Sequence, residues 1–134
     1  MLRARDIMST NVISVQKDVP ILEAVELLVE NNISGLPVVE DDMTLMGILS
    51  EKDVIDLFYD SEQAEDKTVS DYMTFPAVCF EDNNALLNIC DFLGKNIFRR
   101  VPVTSDGKLV GIISIRDILN TVLQLRREQV VGTN

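Results

Sequence analysis

The chain has 134 residues, no His and no Trp, and 22 acidic against 12 basic side chains, for a formal net charge of −10. Such a length suits one compact unit that buries roughly 70% of its unfolded surface, and 46% hydrophobic with 25% charged residues excludes a disordered chain. The acidity argues against general nucleic-acid binding, which needs a basic patch. Without imidazole there is no Ser-His or Cys-His catalysis, no His-ligated metal and no His pH switch.

In chain order, the opening Met1-Leu2-Arg3-Ala4-Arg5-Asp6 lacks the apolar core of a signal peptide. No apolar stretch approaches the ~20 residues of a membrane span, so a cytoplasmic protein with no membrane partner is expected. A short extended run covers Val12–Val15. A helix follows with apolar positions Leu22, Val25, Leu28 and Val29, Pro20 suiting its first turn and Asn31-Asn32 ending it. Leu36–Val39 and Leu45–Leu49 form a hairpin, and a helix is predicted over Glu51–Tyr59. Residues 60–67 are a polar, acidic linker. The pattern then runs again: an extended run at Ala77–Phe80, a helix with Leu86, Ile89, Cys90 and Leu93 inward, a hairpin of Val101–Thr104 with Leu109–Ser114 around Asp106-Gly107, and a helix over Ile115–Arg126. Cys79 and Cys90 are not in C-x-x-C spacing and read as buried small hydrophobes in a reducing compartment. Met8 and Met73 read as core gap-fillers.

The recurrence is an internal repeat. Asp6-Ile7-Met8-Ser9 returns as Asp71-Tyr72-Met73-Thr74, and Leu36-Pro37-Val38 as Val101-Pro102-Val103. Gly47-Ile48-Leu49-Ser50-Glu51-Lys52-Asp53 returns as Gly111-Ile112-Ile113-Ser114-Ile115-Arg116-Asp117. Each copy reads β-α-β-β-α, giving a mixed α/β (α+β) fold with repeats at 1–59 and 68–134. A unit of this size buries little apolar surface alone, so the two are expected to pack as one domain with pseudo-twofold symmetry. The charge divides unevenly: residues 1–67 carry 15 acids and 5 bases, and residues 68–134 carry 7 of each.

These motifs, in this order and duplicated, resemble a tandem pair of cystathionine-beta-synthase (CBS) domains, a Bateman module, from about Arg5 to Val122. The resemblance implies a stand-alone regulatory or sensor module, not an enzyme, with no cofactor and no metal. It implies ligands that contain adenosine (AMP, ADP, ATP or S-adenosylmethionine) bound in two clefts between the repeats. A homodimer and an unidentified effector protein are the implied partners. By position in relatives, one cleft takes Ser114, Asp117 and Ile112 with Asn11, Ile13, Ile33 and Ser34, and Arg99 and Arg100 reach its phosphates. The other takes Ser50, Asp53 and Ile48 with Val78, Phe98 and Arg99. Ser34-Gly35 stand where the second repeat has Arg99-Arg100, which weakens phosphate binding from the first repeat's side.

The residues themselves admit two readings. Ser-x-x-Asp at a strand–helix junction puts a carboxylate where a ribose diol can donate to it, beside free N–H groups that suit an anion. The same four residues are a near copy of the helix capping box. Arg99-Arg100 offers bidentate phosphate contacts, or a charged edge that discourages sheet aggregation. The competing function is a CBS dimerisation or protein-interaction module that binds no ligand, favoured if Phe80 or Phe98 fills the clefts. No nucleophile–base pair or phosphate-cradling Gly loop supports an enzyme. With the acid excess confined to residues 1–67, the two sites are expected to differ. The Ser114–Asp117 cleft is the better one for a phosphorylated ligand.

Overall fold

The computed structural model describes residues 1–132, so the last two residues of the second repeat lie outside the described residues. The elements are α1 (Ala4–Ile7), α2 (Ile21–Glu30), β1 (Gly35–Val39), β2 (Leu45–Ser50), α3 (Glu51–Val54), α4 (Leu57–Asp60), β3 (Phe80–Glu81), α5 (Leu86–Lys95), β4 (Arg100–Ser105), β5 (Lys108–Ser114) and α6 (Ile115–Gly132). Short 3-10 turns cover Gln63–Asp66 and Val69–Asp71. The fold is mixed helix and strand; the second repeat shows the expected β-α-β-β-α order, whereas the first lacks the expected leading strand over Val12–Val15 and its last helix is split in two.

Compactness does not follow the repeats. One unit holds Ile13–Val78 with Gly107–Leu109, and the other holds Met1–Val12, Cys79–Asp106 and the described residues from Val110 to Gly132. Each unit is therefore completed by the lead segment of the other repeat. In the first unit, Ile21 N–H donates to Lys67 O (3.0 Å), Val69 N–H to Val19 O (2.9 Å) and Ile48 exchanges two bonds with Thr74 (both 2.9 Å). In the second, Leu86 N–H donates to Leu2 O (2.9 Å), Ala4 N–H to Asn84 O (2.9 Å) and Ile112 exchanges two bonds with Ser9 (both 2.9 Å). The second set repeats the first almost position for position. Backbone donors and acceptors on each lead segment must find partners when buried, and these are the partners they find.

In the first unit β1 and β2 pair antiparallel, Gly35 opposite Ser50 and Leu36 opposite Leu49, with a register shift between Val38 and Val39. Its core is Val15, Ile21, Ala24, Leu28, Leu36, Val38, Leu49, Val54, Leu57, Ala64 and Val69, with Met73 packed against it. The second unit's core is Ala4, Leu86, Ile89, Leu93, Val101, Val103 and Ile113, with Met8 packed against it. Its sheet runs β3-β4-β5, β3 pairing parallel with β4. The β4–β5 turn is made by Asp106 and Gly107, with φ of 51° and 79°. That is the left-handed pair an Asp-Gly hairpin supplies.

Several details depart from the pattern read along the chain. The Glu51–Tyr59 helix breaks after Val54 into two four-residue helices, α3 and α4. The inward face of α2 is Ile21, Ala24 and Leu28, while Leu22 and Val29 are 46% and 73% exposed. Ala24 is small enough to escape a count of large apolar side chains, and it sets the stripe a quarter turn away from the expected one. The Val12–Val15 run contributes one bridge, Val15 to Val38, and Ala77–Phe80 contributes only the start of β3. The last helix runs past Arg126 to Gly132. Cys79 is exposed rather than buried, and Cys90 is half-buried. In the linker, Ala64 is buried in the core while its acidic neighbours stay in solvent.

At Gly47 an added Cβ would lie 2.5 Å from the Thr74 carbonyl oxygen. At Gly111 it would lie 2.5 Å from Met8 Sδ. The first obstacle is backbone and the second a flexible side chain. Gly47→Ala is therefore expected to cost about 1–3 kcal/mol, the range of overpacking, and more than Gly111→Ala; urea denaturation of both variants checks the order. The exposed Asp42 carboxylate pairs with Lys108 Nζ at 2.7 Å. The Lys108 and Thr44 hydrogen bonds hold its pKa below the ordinary 3.8. A lowered carboxylate pKa stabilises the folded state above the unfolded value, and that contribution is lost as pH falls through the folded value. Lys108→Ala should thus lower Tm slightly at neutral pH, with the difference shrinking as pH drops below 3.8 in thermal melts.

Candidate functional site at the strand–helix junctions

The two Ser-x-x-Asp motifs sit where β2 meets α3 and where β5 meets α6, and both form capping boxes. Ser50 N–H donates to Asp53 Oδ2 (2.8 Å) and Asp53 N–H to Ser50 Oγ (3.2 Å). Ser114 N–H donates to Asp117 Oδ2 (2.9 Å) and Asp117 N–H to Ser114 Oγ (3.1 Å). All four residues are half-buried. The Ser orients the first turn and the Asp closes back on it, so each carboxylate is held in one place through its Oδ2 and the cap leaves Oδ1 unused.

The next N–H in each motif is used too. Glu51 N–H donates to Ser34 O and Ile115 N–H to Arg99 O, both at 2.9 Å. These bonds tie each junction to the residue that leads into the other strand of its hairpin. In the first unit they bring together Ile48, Ser50, Asp53 and Ser34, and that unit also contains Ile13, Ile33 and Val78. In the second they bring together Ile112, Ser114, Asp117 and Arg99, and that unit also contains Asn11, Phe98 and Arg100.

The junctions differ in charge and in helix length. Helix α3 has four residues and α6 has eighteen, so only α6 aligns enough peptide dipoles to favour an anion at its start. Arg99 is exposed beside that start, and Arg100 is half-buried as the first residue of β4. The Arg100 Nε is fully buried and has no hydrogen-bond partner among the described residues, an arrangement that costs free energy until an acceptor is supplied. Phe98 stacks on Phe92 (5.5 Å, 23°), which meets Phe80 edge-on (5.5 Å).

Thr74 is a residue the motif reading quoted without a role. Its hydroxyl donates to Asp53 Oδ1 at 3.2 Å. The available signal was its position as the hydroxyl residue closing the duplicated Asp-x-Met-Ser/Thr motif. Other chemistry is sparse. No group of three His, Cys, Asp or Glu among the described residues could hold a metal ion. Burial, and then the neighbouring Asp91, push the Cys90 thiol above its ordinary pKa, the opposite of what a nucleophile needs. A separate groove of about 370 Å³ in the first unit is lined by residues including Gln16, Leu27, Glu40 and Asp41, and by none of the predicted site residues.

The chain matches the CBS domain family model twice, over residues 4–60 and 69–124. It is 35% identical over 115 residues to an uncharacterized protein of Methanocaldococcus jannaschii, covering 86% of this chain and 41% of that one. It is 31% identical to the chloroplastic CBS domain-containing protein CBSX2 of Arabidopsis thaliana, covering 79% of this chain and 56% of that one. The chain thus spans about half the length of these relatives. Among solved structures it is similar to CBSX2 in complex with AMP, with TM-score 0.84, 31% identity and coverage of 94% of this chain and 99% of that one. It is also similar to the CBS domain pair of protein MJ0100 in complex with 5′-methylthioadenosine and S-adenosyl-L-methionine, with TM-score 0.76, 25% identity and coverage of 91% and 96%.

Because the box at Ser114 starts a long helix, Ser114→Ala should cost about 0.5–2 kcal/mol of stability. Ser50→Ala, capping a four-residue helix, should cost less. Denaturant unfolding without added ligand measures both.

Proposed function

The chain belongs to the CBS domain family as a tandem pair, and on that premise we propose that it is a regulatory module that binds ligands containing adenosine. The observation that carries the proposal is the duplicated carboxylate at a strand–helix junction, fixed by its own Ser and keeping acceptor capacity for hydroxyl donors. Support from relatives is that solved CBS pairs hold AMP in one case, and 5′-methylthioadenosine and S-adenosyl-L-methionine in another.

In this proposal the ribose hydroxyls donate to Asp117 in one cleft and to Asp53 in the other. Ser114 and Ser50 hold those carboxylates, and Ile112 and Ile48 line the base. Asn11, Ile13, Ile33 and Ser34 complete the first cleft, and Val78, Phe98 and Arg99 the second. Arg99 and Arg100 take the phosphates of the first, and the orphaned Arg100 Nε supports that assignment because a phosphate oxygen would satisfy it. The module would act through an effector protein and catalyse no reaction. A cytoplasmic location belongs to the same proposal. It rests on Cys79 and Cys90, free thiols that a reducing compartment preserves. No helix among the described residues is long and apolar enough to cross a membrane.

A second reading, an interaction module that dimerises without ligand, draws on one observation. Phe58 and Tyr59 on α4 are 87% and 84% exposed, and α6 exposes Leu119, Val122 and Leu123. Such apolar faces suit a second copy of the chain, and a homodimer is proposed under either reading.

Calorimetric titration of AMP, ADP, ATP, S-adenosylmethionine and NAD into the purified protein separates the two. Binding of at least one is expected, and neither heat nor a thermal shift with any of them would refute the ligand-binding proposal. Asp117→Ala should weaken binding by about 1.5–3 kcal/mol, the worth of a hydrogen bond to a charged group. Arg100→Ala should weaken ATP more than adenosine; equal losses would show that Arg100 touches no phosphate.

A further inference from the structure

The Asp53 carboxylate is engaged on both oxygens. Ser50 N–H donates to Oδ2 at 2.8 Å and the Thr74 hydroxyl donates to Oδ1 at 3.2 Å. At the equivalent place in the second unit, Ser9 makes the same pair of backbone bonds with Ile112 that Thr74 makes with Ile48, all at 2.9 Å. Yet among the described residues Ser9 donates nothing to Asp117, whose Oδ1 accepts no hydrogen bond. The residue types account for the difference. Thr is β-branched and stiff about χ1, whereas the Ser hydroxyl rotates more freely. The Thr74 backbone is held by its two hydrogen bonds with Ile48, and it passes close enough to Gly47 that a Cβ there would lie 2.5 Å from the Thr74 carbonyl oxygen.

We propose that Thr74 is a specificity-determining residue that competes with the ligand for Asp53. A vicinal diol brings two O–H donors and needs open lone pairs on the carboxylate. At Asp117 one oxygen is open to them. At Asp53 the Thr74 hydroxyl already sits on the corresponding oxygen, so a ligand must share it or turn Thr74 aside. One hydroxyl thereby makes the Ser50–Asp53 site the weaker of the two, independently of the arginines and of the acidic first half. This rests on the reading that both Asp residues receive ribose hydroxyls.

The test is calorimetric titration of AMP into the full chain and into Thr74→Val, which keeps the side-chain shape and both backbone bonds with Ile48. Asp53→Asn and Asp117→Asn assign the two sites. Thr74→Val is expected to tighten the Asp53-dependent site about 3–10-fold, the effect of freeing one modest hydrogen bond. Thr74→Ser keeps the hydroxyl and should fall between Thr74→Val and the natural protein, while Ser9→Ala should leave the Asp117-dependent site unchanged. Thr74→Ala serves the same purpose should Val fail to fold. An Asp53-dependent site that binds AMP equally or more weakly in the variants lacking the hydroxyl overturns the inference and leaves the proposed function standing. Absence of heat in every variant with AMP and with the other adenosine ligands removes the proposed function, and this inference with it.

Discussion

The structure depends on an exchange. The segment that leads each repeat closes the compact unit built around the other, through matched backbone bonds at Leu2 and Lys67, Ala4 and Val69, and Ser9 and Thr74. Ala4 and Val69 are buried at the centre of those segments, and the N–H of each finds its acceptor on the other repeat's chain, at Asn84 O and Val19 O. The exchange also favours a glycine at position 47, where a Cβ would run into the Thr74 carbonyl, and to a lesser degree at position 111, where it would meet the flexible Met8 side chain. A single repeat would leave its hairpin without the segment that covers it and its lead segment without a core. The small size of each unit makes that loss hard to sustain.

The same exchange builds the junctions. Pairing of Ile48 with Thr74, and of Ile112 with Ser9, fixes the strand two residues before each Ser. The Ser then caps the helix and the Asp returns to the cap. Capping and ligand binding are therefore not rivals here. The cap uses one carboxylate oxygen and holds the other still, which is the preorganisation a weakly held ligand benefits from. What distinguishes the junctions lies around the boxes: a four-residue helix against one of eighteen, Ser34-Gly35 against Arg99-Arg100, and Thr74 against Ser9.

Much of this was legible in the residues. Duplication exposed the two-repeat architecture, Asp106-Gly107 marked its turn, and Leu86, Ile89 and Leu93 marked the buried face of α5. Other features were out of reach for identifiable reasons. Periodicity counts large apolar side chains, so Ala24 was invisible and Leu22 and Val29 were credited with burial they lack. The Glu51–Tyr59 run has helical spacing throughout, and nothing local in it signals the break after Val54. The exchange of lead segments is a long-range pairing that no local pattern encodes. For that reason the motif reading supplied Ser50, Asp53, Ser114 and Asp117 but not the hydroxyl of Thr74, which is 21 residues from the carboxylate it meets.

The most direct test of the central claim, that an adenosine ligand is received at these junctions, is a ¹H–¹⁵N correlation spectrum recorded during titration with AMP. The account predicts the largest shift changes at the amides of Ser114 to Asp117 and of Arg99 and Arg100, with smaller changes at Ser50 to Asp53. No change in the spectrum, or changes confined to the groove around Gln16 and Asp41, would contradict it.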